Sequence, residues 1–130
     1  MMQLSKGLIE GDILAAKQAI DYYEKRKNKN IKNVAAYHLQ QAAEKMIKIQ
    51  IYRNVAVPDY KKLYVHNLEK LIEYAESLGI VLIVPDYVRK NSLLLTGWEA
   101  GSRYDIGFSI RINVIKKVYN VVAAWYRQIK

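Results

Sequence analysis

The chain contains no cysteine, two histidines, two prolines and a single phenylalanine in 130 residues. Without cysteine there is no disulfide framework, no thiolate nucleophile and no thiolate zinc site. His38 is followed at i+3 and i+4 by Gln41 and Ala42, so it does not open a helical metal-binding pair. No metal site and no cofactor are expected. A glycine-rich phosphate loop, a Gly-x-Ser-x-Gly elbow and a His-Glu-x-x-His motif are all missing. The carboxylates are scattered, and the acidic cluster of a nucleotidyltransferase active site is absent. No apolar run approaches the roughly 20 residues that span a bilayer. The longest, residues 80–84, is far shorter, and charged Lys6, Glu10 and Asp12 stand where a signal peptide needs an apolar block. A cytoplasmic protein without membrane attachment is the expectation.

What is present is a basic, core-forming chain. Hydrophobic residues make up 52%, ample for one core, and the length suits a single domain over residues 1–130. The formal net charge is +9, an excess that attracts polyanions. It is densest in Lys25-Arg26-Lys27-Asn28-Lys29-Asn30-Ile31-Lys32, which reads either as a solvated helix end and loop or as a surface for an acidic partner.

The periodicity predicts an all-α fold. Asp12 suits the N-cap of a first helix carrying Ile13, Ala16, Ala19, Ile20 and Tyr23. A second helix over residues 34–53 repeats Ala35, Leu39, Ala42, Met46 and Ile49 every three or four positions, with Gln40, Glu44 and Lys48 on its other side. Residues 55–64 read as a loop. Asn67 caps a third helix that Gly79 ends, and residues 80–84 read as a buried connector rather than a strand without partners. Pro85 opens a fourth helix reaching about residue 95. Gly97, Gly101 and Gly107 then mark a loop of about a dozen residues, long enough to suggest function. The last helix, residues 108–128, presents Ile115, Val118, Val122 and Trp125, broadened by Val114 and Val121, and so is central or shared with a second subunit.

His38 falls at the border of an apolar stripe, where histidines are most often hydrogen-bonded packing residues. His66 stands just before a cap and suits a solvent-facing or loop-anchoring role. The 11 tyrosines suit helix borders, ring buried and hydroxyl wet, though some suit base stacking.

The string Ala36-Tyr37-His38-Leu39-Gln40-Gln41-Ala42-Ala43-Glu44-Lys45 resembles the second-helix signature of HEPN-domain proteins. His66-Asn67-Leu68 is similar to the family's His-x-Leu, and Ser102-Arg103-Tyr104-Asp105 to its Ser-Arg-Tyr-Pro turn before the last helix, with Asp105 replacing proline. The resemblance implies a four-helix up-down bundle with a short extra helix, commonly a homodimer. It also implies a small nucleotidyltransferase as partner in a toxin–antitoxin-like pair, and nucleotide or RNA as ligand. Many relatives are metal-independent ribonucleases that use an Arg followed after four to six residues by His. That motif is missing: Arg26 is followed there by Ile31, Lys32 and Asn33, and Arg53 by Pro58, Asp59 and Tyr60.

Three readings follow. A non-catalytic binding subunit would take nucleotide or RNA through a basic cleft formed by His38, Gln41, Lys45, His66, Arg103 and Tyr104. A ribonuclease with an atypical site would use His38 or His66 as base and Arg103 to stabilise the phosphorane. A purely structural dimer would share the last helix. Arg103 and Tyr104 also suit a role in tying the long loop to the bundle.

Overall fold

The computed structural model describes residues 5–104 and 107–130, Tyr104 by its backbone alone. Seven helices and no strand are found among them: α1 (Lys6–Arg26), α2 (Lys29–Asn54), α3 (Tyr60–Leu63), α4 (Leu68–Ser77), α5 (Asp86–Lys90), α6 (Ser92–Tyr104) and α7 (Ile112–Ile129). The all-α expectation holds, with more helices than the four and one short extra that were anticipated.

α2 is the hub, packing against α1, α4, α6 and α7. Its Ala35, Leu39, Ala42 and Met46 are fully enclosed and join Ile9 and Ala16 of α1, Leu71 of α4, Trp98 of α6 and Val118 and Trp125 of α7 in one apolar cluster. Small alanines at mid-stripe let the neighbouring helices approach closely. The ends of the helices are tied as well. The Arg53 guanidinium donates to the Ile129 carbonyl at 2.7 Å, placing the C-termini of α2 and α7 together. The Tyr126 hydroxyl donates to Glu10 Oε1 at 2.5 Å, placing the end of α7 beside the start of α1.

Local chemistry explains where the helices stop, and it corrects several expectations. α1 begins at Lys6 after Ser5, so Asp12 is not a cap; it lies inside the helix and is buried. The basic stretch holds the exposed end of α1 and the start of α2, with only Lys27 and Asn28 between them rather than a longer loop. Lys27 alone adopts the left-handed conformation (φ 56°), donating its N–H to the Tyr23 carbonyl. Asn28 then caps α2 by accepting from the N–H groups of Asn30 and Ile31. Within residues 55–64, Asp59 nucleates the single turn of α3 by accepting from Lys61 N. Asn67 caps α4 as expected, accepting from Lys70 N at 3.1 Å, and Gly79 follows its end at φ 78°.

Residues 80–84 form no strand, and they are only partly buried: Leu82 is enclosed while Val81 is 94% exposed. The primary amide of Gln50 replaces the missing strand partner. Its Nε2 donates to the Ile83 carbonyl and its Oε1 accepts from Ile83 N, both at 2.9 Å. The Trp125 indole adds a second donor to the same carbonyl at 2.7 Å. Pro85 precedes α5 rather than occupying its first position, and the helix breaks at Asn91.

The expected glycine loop is also corrected. Gly97 and Gly101 lie within α6, because Leu95, Trp98 and Glu99 are buried on the core side and outweigh the glycine penalty. Gly101 serves a packing purpose: a Cβ there would sit 2.5 Å from Phe108 Cδ2. Phe108 itself belongs to the segment before α7, which starts at Ile112 rather than at residue 108. The buried stripe of α7 is as read from the sequence, with Val114 and Val121 half-buried. No helix among the described residues is long and apolar enough to cross a membrane.

The two glycines of α6 should therefore respond oppositely to alanine. Gly97→Ala meets no atom within 4 Å and should raise stability by about 0.5–1 kcal/mol, whereas Gly101→Ala should lower it by about 1 kcal/mol, both read by urea unfolding. Burial, followed by the bond to Glu10, pushes the Tyr126 phenol up from 10.0 to about 12. A raised pKa contributes stability that is complete below pH 10 and lost as pH rises through about 12. Tyr126→Phe should cost about 1 kcal/mol at pH 7 and flatten the alkaline loss of stability over that window.

Candidate functional site

Two buried carboxylates, Asp12 of α1 and Glu44 of α2, organise a row of polar residues on α2. Asp12 of α1 is 7% exposed. Its Oδ1 pairs with His38 Nδ1 at 2.8 Å and its Oδ2 accepts from Lys45 Nζ at 2.5 Å. An ionised carboxylate only accepts, so His38 Nδ1 carries the hydrogen and Nε2 is left for other partners. His38 and Lys45 lie two turns apart on α2, each partly exposed, and Asp12 stitches both to α1.

Glu44 is the second centre, 5% exposed. Its Oε2 accepts from Lys48 Nζ at 3.0 Å, and its Oε1 pairs with His66 Nδ1 at 2.8 Å and accepts from Gln40 Nε2 at 3.2 Å. Gln40 Nε2 also reaches the His66 carbonyl at 3.3 Å, and Gln41 Nε2 donates to Gln40 Oε1 at 2.7 Å. Gln40, Glu44 and Lys48, which the sequence places on the side of the helix away from the apolar stripe, are thus buried as well. The three side chains satisfy one another, and His66 closes over Glu44 from the segment before α4. His66 keeps its ring largely exposed and anchors the segment between α3 and α4 to α2.

Arg103, in the last turn of α6, pairs with Glu99 of the same helix and lies over the Tyr37 ring, 5.6 Å from its centroid. The Tyr37 ring in turn meets the His38 imidazole edge-on, centroids 5.2 Å apart at 78°. Arg103 and His38 therefore border the same aromatic ring from α6 and α2. Of the residues singled out in the sequence, His38 and Lys45 meet at Asp12, Gln41 and His66 meet through Gln40 and Glu44, and Arg103 joins the first group through Tyr37. Ser102 and Tyr104 close α6 rather than forming a turn. The side chain of Tyr104, and Asp105 altogether, lie outside the described residues.

Sequence reasoning missed the residues that hold this array together: Asp12, Tyr37, Gln40, Glu44, Lys48 and Glu99. One signal existed. Gln40, Glu44 and Lys48 recur every four residues along a long helix with a regular apolar stripe, where a polar row can be buried if its members pair. No group of three or more His, Cys, Asp or Glu among the described residues could hold a metal ion.

Chemically, the Asp12–His38–Tyr37–Arg103 edge offers a guanidinium for bidentate contact with phosphate, an aromatic ring, and an imidazole oriented by a carboxylate at its far nitrogen. Among the described side chains, none of those predicted for the site lines either of two surface cavities. The larger, about 460 Å³, lies between α3 and α4; the other, about 220 Å³, lies between α1 and α7.

A family model described as HEPN domain matches residues 12–127, a span that includes both carboxylate centres and Arg103. No curated protein and no solved structure matches the chain.

The Glu44 centre should dominate stability. Glu44→Ala leaves the Lys48 ammonium buried without a counter-charge and should cost about 3 kcal/mol in urea unfolding at pH 7. Exposed Glu73→Ala should cost less than about 0.5 kcal/mol. A Glu44→Ala loss no larger than that of Glu73→Ala would show that the pair contributes nothing net.

Proposed function

The chain belongs to the HEPN-domain family, and from that premise we propose that it is a binding or regulatory subunit that takes nucleotide or RNA on the edge formed by Arg103, Tyr37, His38 and Lys45. It works in the cytoplasm as a homodimer beside a small nucleotidyltransferase, in a toxin–antitoxin-like pair. The observation that carries the ligand half is the contact of Arg103 with the Tyr37 ring whose edge meets His38. It sets a cation, a stacking surface and an imidazole side by side on a protein of net charge +9. The end contacts of α1, α2 and α7, with Arg103 of α6 beside the N-terminal half of α2, favour alternately running α1, α2, α6 and α7 as the four helices of an up-down bundle. Gln41 and His66, held by the neighbouring Glu44 centre, extend the same surface, and Tyr104 at the end of α6 is the remaining ligand contact.

A second reading, a metal-independent ribonuclease, is favoured by the His38–Asp12 pair alone. A carboxylate on Nδ1 orients the imidazole so that Nε2 takes a proton from an attacking hydroxyl, while Arg103 steadies charge on the phosphorane. The missing Arg and His spacing weighs against it.

One set of proteins tests both. Wild type should bind a 5′-hydroxyl RNA decamer or ATP at low salt in fluorescence anisotropy, and Arg103→Ala should weaken binding about tenfold. No binding by wild type would remove the ligand half of the proposal. Incubated with total RNA in EDTA, wild type should leave it intact; cleavage lost in His38→Ala would establish the ribonuclease instead.

A further inference from the structure

The cavity between α3 and α4 lies outside the array just described, and its walls carry an unusual charge arrangement. Lys61, Lys62 and Lys70 all line it. None of the three has a carboxylate oxygen within 4.0 Å among the described residues, whereas Lys17, Lys45, Lys48 and Lys116 are each paired with one. Glu73 also lines the cavity but is not bonded to any of the three, so the walls hold a surplus of two positive charges. Isolated surface lysines normally point apart into water. Here all three border one concave space, with Glu73 its single acidic lining residue.

The frame that holds them is fixed. Asp59 caps α3 through the N–H of Lys61, and its own N–H donates to the Tyr74 hydroxyl at 2.7 Å, which ties α3 to α4. Tyr60, which opens α3, and Tyr64, which follows its end, stack with ring centroids 5.5 Å apart. Lys62 Nζ sits 5.8 Å from the centroid of the Tyr74 ring. Tyr74 and Val65 add apolar side chains to the same lining.

We infer that this cavity is a binding site for a phosphomonoester, its dianion held by Lys61, Lys62 and Lys70 and the remainder of the ligand set against Val65 and Tyr74. Charge selects the class. A phosphomonoester carries about −1.5 to −2 at pH 7, which matches the surplus, while an internal phosphodiester carries only about −1. Size supports it too: about 460 Å³ lies in the range of small-molecule sites and far exceeds what a bare phosphate needs. A free mononucleotide and the 5′-phosphate end of an RNA share this chemistry. The site is separate from the Arg103 edge and stands or falls without it.

The test is calorimetric titration of the full chain at low salt with 5′-AMP, adenosine, and RNA decamers carrying either a 5′-phosphate or a 5′-hydroxyl. AMP should bind and adenosine should not. The Lys62→Gln/Lys70→Gln variant, whose exposed positions leave the core untouched, should bind AMP at least about tenfold more weakly with an unchanged circular dichroism spectrum. AMP binding that Arg103→Ala weakens and Lys62→Gln/Lys70→Gln leaves intact would place the phosphomonoester on the Arg103 edge and overturn the assignment, so the two sites are read separately. Binding of AMP but not of the phosphorylated decamer identifies a free metabolite; preference for the 5′-phosphate decamer over its 5′-hydroxyl twin identifies an RNA end. No AMP or 5′-phosphate binding by wild type, equal affinity for AMP in wild type and double variant, or equal binding of the two decamers with no AMP binding would overturn the assignment.

Discussion

Ionised carboxylates at the depth of Asp12 and Glu44 carry a desolvation penalty of several kcal/mol each, and the structure depends on how that penalty is offset. Each is met by one histidine through Nδ1 and one lysine. Three of these four partners come from α2, so the central helix supplies most of the compensation. The partner or the carboxylate that lies elsewhere determines what is tied to α2: Asp12 fastens α1, and His66 fastens the segment that leads into α4. Apolar packing alone would tolerate sliding of α1 along the alanine-rich face of α2. A buried carboxylate that must meet His38 and Lys45 together does not.

The same compensation shapes the outer surface. His38 and His66 are each gripped at Nδ1, which leaves their Nε2 atoms as the available groups. The Tyr37 ring then links the first histidine to Arg103 at the end of α6, so a chemical edge is assembled from residues that are 65 positions apart in the chain. Gly101 lets the Phe108 ring settle on the last turn of α6, close behind Arg103. Packing and surface chemistry therefore share parts: the residues that lock the helices also orient the groups that face solvent.

The helical content, the buried stripe of α7, the Asn67 cap and the turn at Gly79 were legible from periodicity and capping chemistry, which act over a few residues. The family was legible because its signature falls on α2 itself. What was misread shares a cause. Asp12 reads as a cap because aspartate is a good one, and nothing local says that α1 extends past it to Lys6. Glu44 and Lys48 read only as the side of α2 away from its apolar stripe, because periodicity does not say what covers a second face. Gly97 and Gly101 read as a loop because glycine is a poor helix former, a penalty of about 1 kcal/mol that burial of Trp98 and Leu95 exceeds.

By itself, then, the sequence determined an all-α chain of the HEPN family with a basic surface and few groups fit for catalysis, since composition, period and motif are local properties. The tertiary structure alone decided which carboxylates are buried, which histidines they orient, and that Arg103 meets His38 across Tyr37. It also decided that three lysines face one cavity between α3 and α4. Those relations depend on which helix faces come together, and long-range burial fixes that where local periodicity is silent.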